Sequence, residues 1–219
     1  MTVVSPRLTL ERKLLAEYEL IIALDEVGRG ALAGPVAVGA SVMDAAGARR
    51  RVPEGLRDSK LVPEKRRGDV AARAASWVQA SGVGWASAAE VDDGGIMYAL
   101  GLAASRAVDA VVAQGAALEG ALVLLDGNYD YLSRVHAIPL EVRSVIKGDR
   151  DCASVSAASV IAKVARDTHM AHLHDDHPAY QWDRNKGYAS VEHRAAIRAE
   201  GLSPFHRASW AIADAPTLF

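Results

Sequence analysis

Three places in the chain put carboxylates directly after apolar runs. Asp25 and Glu26 follow Ile21-Ile22-Ala23-Leu24, Asp126 follows Leu122-Val123-Leu124-Leu125, and Asp149 follows Val145-Ile146-Lys147-Gly148. One acidic residue after a strand is ordinarily a turn former. Three such places, at the ends of separate strands, can converge at one edge of a sheet. Carboxylates gathered there repel and raise one another's pKa unless a cation sits between them. Hard oxygen donors select Mg²⁺ or Mn²⁺, ions that work with a few carboxylates, water and substrate phosphate. The chemistry these residues predict is metal-assisted phosphoryl transfer.

Asp25 and Glu26 are adjacent and would face opposite sides of a regular strand. They serve one site only if the strand ends there, which Gly28 and Gly30 predict. Those glycines also leave the backbone of Gly28-Arg29-Gly30 bare, so its amides and carbonyls can approach a sugar edge closely. The stretch as far as Ala33 fits the loose G-x-G-x-x-A pattern of a dinucleotide-binding turn. Two features argue against that reading. Pro35 would fall in the second turn of the helix that must follow. Asp25 and Glu26 would set negative charge beside the pyrophosphate.

The elements that must hold these residues follow from hydrophobic spacing. Helices are predicted over 8–20, 62–78, 96–112, 153–173 and 191–200. Strands are predicted over 20–25, 35–42, 82–88, 121–125 and 141–146. Early strands adjacent in sequence, followed by strands alternating with helices, predict an α/β domain with a mixed sheet over 1–173. The remainder, 174–219, is rich in His, Arg and aromatics and reads as a C-terminal helical region that contacts substrate.

Composition narrows the classes further. The 219 residues carry 25 Lys+Arg against 27 Asp+Glu, a net charge of -2. There is no global pull toward nucleic acid, so any phosphate-binding surface must be local. The single cysteine, Cys152, excludes an internal disulfide and a Cys-based zinc site, and reads as a small packing residue. No strictly apolar run approaches the ~20 residues of a bilayer span. Residues 1–20 contain Arg7, Glu11, Arg12 and Lys13, so neither a signal peptide nor a membrane partner is expected. The expected location is the cytoplasm, and the expected state is a monomer.

A longer ordered series is more specific. It runs Asp25-Glu26-Val27-Gly28-Arg29-Gly30-Ala31-Leu32-Ala33-Gly34-Pro35-Val36, Asp58-Ser59-Lys60, Leu125-Asp126-Gly127-Asn128, Lys147-Gly148-Asp149, 156–167 (Ser-Ala-Ala-Ser-Val-Ile-Ala-Lys-Val-Ala-Arg-Asp), Asn185-Lys186-Gly187-Tyr188 and His206-Arg207. This series resembles ribonuclease HII over about 20–210. The resemblance implies an RNase H-like mixed β-sheet flanked by helices, with a C-terminal helical appendage. It implies hydrolysis of the RNA strand of RNA–DNA hybrids. It also implies incision of duplex DNA 5′ to embedded ribonucleotides, by two-metal-ion catalysis with Mg²⁺ or Mn²⁺, leaving 3′-hydroxyl and 5′-phosphate ends.

By the same resemblance, the catalytic and metal-binding positions are Asp25, Glu26, Asp126 and Asp149, the four found above from strand ends. Gly28, Arg29 and Gly30 would read the ribose 2′-hydroxyl, the one group that separates RNA from DNA at a given position. Tyr188 would stack on the sugar of the next deoxynucleotide. Lys60 and Lys147 lie inside matching motifs and are expected to bind substrate. Ser59, Lys163, Arg166, Lys186 and Arg207 are candidate phosphate contacts, which position without specifying. Each has a plainer reading. Arg29 would pair with a neighbouring carboxylate, Lys163 and Arg166 would line a solvated helix face, Ser59 would cap a turn, and Tyr188 would be a half-buried tyrosine.

The sequence departs from the family pattern at Gly94-Gly95, where a helix start loses stability. It also departs at Leu61, where a second lysine often stands, and at Tyr180-Gln181-Trp182. His169, His172, His174 and His177 have spacing that can share a helix face, but read as a polar helix end leading to Pro178. The terminal Leu218-Phe219 suggests a weak sliding-clamp contact through a hydrophobic anchor. Two rivals stand beside the nuclease: a hybrid-binding protein without catalysis, and a nicotinamide-dependent enzyme.

Overall fold

The computed structural model describes residues 5–210. The chain begins with α1 (Thr9–Leu14) and enters β1 (Leu20–Val27) and β2 (Val36–Asp44). Then come α2 (Glu64–Trp77), β3 (Ala80–Ala86), α3 (Ala88–Val112), β4 (Ala121–Asp126) and β5 (Glu141–Val145). α4 (Gly148–Asp151), α5 (Ala153–Asp176), α6 (Trp182–Asn185) and α7 (Val191–Glu200) complete it. The sheet order is β3-β2-β1-β4-β5. β1, β2 and β3 pair antiparallel, whereas β1–β4 and β4–β5 pair parallel, so the expected mixed sheet is present. No described strand lies beyond Val145, and α5 runs unbroken across the 173/174 boundary.

Each face of the sheet is buried by one long helix. On one face Ile22, Leu24, Val36, Val38 and Val123 pack against Ala99, Leu100, Ala103, Ala104 and Ala107 of α3. On the other, Ile21, Ala23, Leu122 and Leu124 meet Cys152 and Val155 at the start of α5. Alternate residues of β1 therefore serve opposite cores, the period-2 pattern of a strand covered on both sides. By length and composition α3 could cross a membrane, but its apolar residues are those that cover the sheet. Cys152 is buried in that second core, and burial pushes its thiol up to about 12, which leaves it an inert packing group.

Several expected boundaries move. α1 stops at Leu14, because the chain must turn before β1 starts at Leu20. The second strand follows the glycine turn where a dinucleotide fold needs a helix, which removes that rival. α3 starts at Ala88, eight residues before the expected 96. Ser87 caps it, accepting from the Glu90 amide, while the Glu90 carboxylate accepts from the Ser87 amide. Gly95 then interrupts the helix at φ 76°, so the two glycines mark a break rather than weak helical residues.

Candidate active site

β1 does not end at Asp25. It stays paired with β2 as far as Val27↔Ala37, while its pairing with β4 stops at Leu24↔Leu125. Asp25 and Glu26 thus sit where the sheet has split on one side only. The strand alternation persists. Asp25 extends the Ile21-Ala23 row toward α5 and the Ser159 hydroxyl, and Glu26 extends the Ile22-Leu24 row. The expectation that both need a strand end to share a site is corrected: the gap beyond Leu24 opens the space instead.

Asp126 is the last residue of β4, and Asp149 lies in the single turn of α4. The Asp149 amide donates to Asp126 Oδ1 at 3.1 Å, which ties the two strand ends together. Lys147, at φ 60°, makes the left-handed bend that aims this turn. All four carboxyls are held above their ordinary range. Burial is the largest cause at each. Asp25 rises well above its usual value, with Asp126, Glu26 and Asp149 adding repulsion and Ser159 opposing it. At Asp126 the amides of Asp149, Gly148 and Gly127 pull the other way.

Two cations reach this cluster. Lys60 Nζ lies 3.5 Å from Asp149 Oδ2, and Arg29 Nη1 lies 3.8 Å from Glu26 Oε1. At Lys60 burial lowers the pKa, but Asp58, Asp149 and Asp25 outweigh it and leave the ammonium raised. Among the described residues, no three His, Cys, Asp or Glu side chains already enclose one point tightly enough to hold an ion. The donor set nevertheless fits divalent ions of the Mg²⁺ class. It consists of carboxylate oxygens whose charged forms are disfavoured first by burial and, at Asp25, Glu26 and Asp149, by repulsion from neighbouring carboxylates, which two monovalent side chains offset only in part.

The cleft beside the carboxylates has a volume of about 480 Å³. Asp25 and Glu26 form part of its wall, with Gly28-Arg29-Gly30, Ser59-Lys60, Lys163 and Tyr188. Arg67 also lines it, a residue the sequence reading passed over. It lay in the run Lys65-Arg66-Arg67, and only the α2 register decides which member faces the cleft. A second pocket of about 380 Å³, between Trp85, His169 and Phe205, is apolar, and its one carboxylate, Glu90, is paired with Arg106 at 2.8 Å. It offers no comparable chemistry.

Known proteins match this arrangement. The Ribonuclease HII family profile matches residues 22–213. Ribonuclease HII of Streptomyces avermitilis is 46% identical over 212 residues, covering 96% of this chain and 85% of that protein. This chain belongs to the ribonuclease HII family. Among solved structures, ribonuclease H2 of Pyrococcus horikoshii OT3 superposes with a TM-score of 0.69 at 23% identity, over 89% of this chain and 95% of that one. Bst-RNase HIII in complex with Mn²⁺ superposes at 0.65 and 22% identity, over 86% of this chain and 65% of that one. These two show a shared fold. As a ribonuclease HII, the chain is a metal-dependent ribonuclease of the kind that cleaves RNA in RNA–DNA hybrids.

Within this ribonuclease HII the remaining candidates separate. Lys147 is exposed beside Gly148-Asp149, and Tyr188 is 37% exposed at the cleft. Lys163 lines the cleft but is paired with Asp167 at 2.7 Å. Lys186 donates to the Asp183 carbonyl and stands 4.0 Å from Glu64, on a neighbouring groove. Ser59 lines the cleft but is largely buried, and its hydroxyl accepts from Ser159 Oγ at 3.1 Å, while Asp58 supplies the turn cap. Two expected phosphate contacts are corrected. Arg166 and Arg207 are wholly buried and spend their donors on main-chain carbonyls, where no phosphate can reach. The histidines disperse: His169 packs on Trp85, His174 faces Asp183, and His177 joins Trp182 and Phe205. Leu218-Phe219 lies outside the described residues.

Proposed function

We propose that this enzyme incises duplex DNA on the 5′ side of embedded ribonucleotides, as well as cutting RNA–DNA hybrids, leaving 3′-hydroxyl and 5′-phosphate ends. The observation that carries this reading is the junction of two features in one cleft. Asp25 and Glu26, two of the four carboxylates with raised pKa, line the same cleft as a bare Gly-Arg-Gly backbone and an exposed tyrosine.

Asp25, Glu26, Asp126 and Asp149 would hold two divalent ions, Mg²⁺ or Mn²⁺. When bound, such ions supply an activated water and neutralise charge on the scissile phosphate and the leaving oxygen. The Mn²⁺ complex of the RNase HIII relative supports an ion of this class. The chain's own residues do the selecting. Gly28-Arg29-Gly30 presents main chain to the 2′-hydroxyl without a Cβ at either glycine. Tyr188 offers a ring face to the following sugar, where a second hydroxyl would be crowded. Lys60 and Lys147 flank the acidic cluster and set the register of the backbone phosphates.

The test is an end-labelled DNA duplex carrying one ribonucleotide, with Mg²⁺ or Mn²⁺, beside an all-DNA control and an Asp126→Asn variant. One cut 5′ to the ribonucleotide, lost in the variant, is the expected result. Folded protein that cuts neither this duplex nor a hybrid would remove the reading. Persistent binding without cutting would favour the non-catalytic rival.

A further inference from the structure

Arg166 on α5 and Arg207 beyond α7 are charged side chains with no exposed surface. Burying a guanidinium is costly unless every donor finds a partner. Among the described residues neither forms an ion pair. Arg207 Nε is buried without a partner, but the other donors converge mostly on one short stretch of backbone. Arg207 donates to the carbonyls of Gly28 (2.7 Å), Arg29 (2.8 Å) and Gly34 (3.2 Å). Arg166 donates to those of Pro35 (2.8 Å) and Ala33 (3.2 Å), and to Lys186 (2.9 Å). The Arg166 guanidinium also lies 5.6 Å from the centre of the Tyr188 ring. Gly28, at φ 85°, has no room for a Cβ, which would strike Arg166 Nε. Burial pushes both guanidiniums down, Arg207 to about 10.

We infer that Arg166 and Arg207 are positioning residues for ribose recognition, two internal cations that hold the 28–35 backbone and Tyr188 as one unit. The inference rests on the proposed reading of Gly28-Arg29-Gly30 as the sensor of the 2′-hydroxyl. With the Gly28 and Arg29 carbonyls occupied by Arg207, this segment meets a ribose through its amides. The Arg29 and Gly30 amides have no main-chain acceptor among the described residues. The 2′-oxygen is then read as an acceptor. Arg166 links that edge to Tyr188, so the two halves of the sensor keep a fixed separation.

The experiment compares Arg207→Lys and Arg166→Lys in an Asp126→Asn background, which prevents cutting. Dissociation constants are measured with Mg²⁺ for a duplex with one ribonucleotide and for the same all-DNA duplex, at several salt concentrations. Lysine keeps the charge but cannot reach three carbonyls from one planar fork. Each variant is expected to lose roughly tenfold or more of its preference for the ribonucleotide, the scale of a lost charge-assisted hydrogen bond. The all-DNA constant and its salt dependence stay unchanged. Equal weakening on both duplexes, with the salt slope reduced by about one, would identify a phosphate contact and overturn the inference. An unchanged preference would overturn it too. Melting temperatures are recorded in parallel, and Arg166→Lys, acting from α5, carries the test if Arg207→Lys fails to fold. Absence of any ribonucleotide preference with both arginines intact is the separate signature of a wrong functional reading, and removes this inference with it.

Discussion

Lys60 Nζ stands 3.5 Å from Asp149 Oδ2, while its own backbone amide is held by the Asp58 carboxylate at 2.9 Å. The turn that caps itself on Asp58 thereby delivers one ammonium to the acidic cluster. Its charge opposes the upward shift of Glu26, Asp126 and Asp149.

Replacing Lys60 with methionine keeps much of the side chain's length and removes the charge. The three carboxyls then rise further, so the acid limb of the pH–rate profile moves to higher pH. Lys60 is largely exposed, so a fold defect is not expected. Its loss should weaken hybrids and ribonucleotide-bearing duplexes alike, and reduce the salt slope of binding by about one. A weakening confined to the ribonucleotide-bearing duplex, or an unmoved acid limb, counts against this role. The contrast with Arg207, expected to change preference and not salt slope, makes the two measurements a matched pair.

The raised carboxyls also predict how stability depends on pH. A carboxyl whose folded pKa exceeds its unfolded value binds its proton more tightly when folded. Its contribution is complete below the ordinary 3.8 of aspartate and is lost as pH rises through the folded value. Asp25, Asp126, Asp149 and Glu26 all act in this direction. Metal-free protein therefore loses stability through these four groups as pH rises above the ordinary carboxyl range, and Asp25→Asn flattens that loss while abolishing cleavage. Mg²⁺ stabilises at pH 7 and does little at pH 4, where protons compete for the same oxygens. Thermal melts across pH, with EDTA or Mg²⁺, check this. An Asp25→Asn protein less stable than the parent at pH 7 without metal would contradict it.

α3 lies close on β3 because Gly84 has no side chain, and a Cβ there would run into the Ala103 carbonyl oxygen. Gly84→Ala must push the helix off the sheet. Overpacking of this kind costs about 1–3 kcal/mol, more when the obstacle is backbone. The melting temperature should fall by several degrees, while kcat/KM at low temperature stays near the parent value. Gly84 contacts α3 and none of the carboxylates. An unchanged melting temperature would show that α3 can shift freely.

Much of the site was legible because its chemistry is local in sequence. Asp126 and Asp149 each follow an apolar strand, and their meeting needs only that β4 and β5 be neighbours. The mixed sheet followed from the same runs. Ser87-Ala88-Ala89-Glu90 was also legible as a capping box, yet the glycine pair drew the helix start to 96. What spacing could not reveal was direction. Lys163, Arg166 and Asp167 share one helix within four residues, yet Lys163 reaches the cleft and Arg166 is sealed beneath it. Arg207 lies 179 residues from the Gly28 carbonyl it holds. No local pattern separates a phosphate-binding arginine from one that braces a turn. Burial decides it, and burial is a property of the finished fold.

Tyr188 gives the last prediction. Its amide is held by the Asn185 carbonyl at 2.9 Å and its carbonyl contacts His193 Nδ1 at 2.8 Å, so the backbone is fixed independently of the ring. The side chain can therefore be changed without releasing the segment. Tyr188→Phe keeps the ring face above Arg166 and should retain kcat within a few-fold. Tyr188→Ala removes a surface whose stacking is worth about 1–3 kcal/mol, and should lower kcat/KM on a single embedded ribonucleotide by roughly 5–150-fold. The loss on a continuous hybrid should be smaller, because there the following sugar is itself a ribose and the ring has no deoxynucleotide to favour. Paired kinetics on the two substrates decide the matter. Equal losses would make Tyr188 a general surface of the cleft, and a loss in Tyr188→Phe as large as in Tyr188→Ala would shift the role from the ring to its hydroxyl.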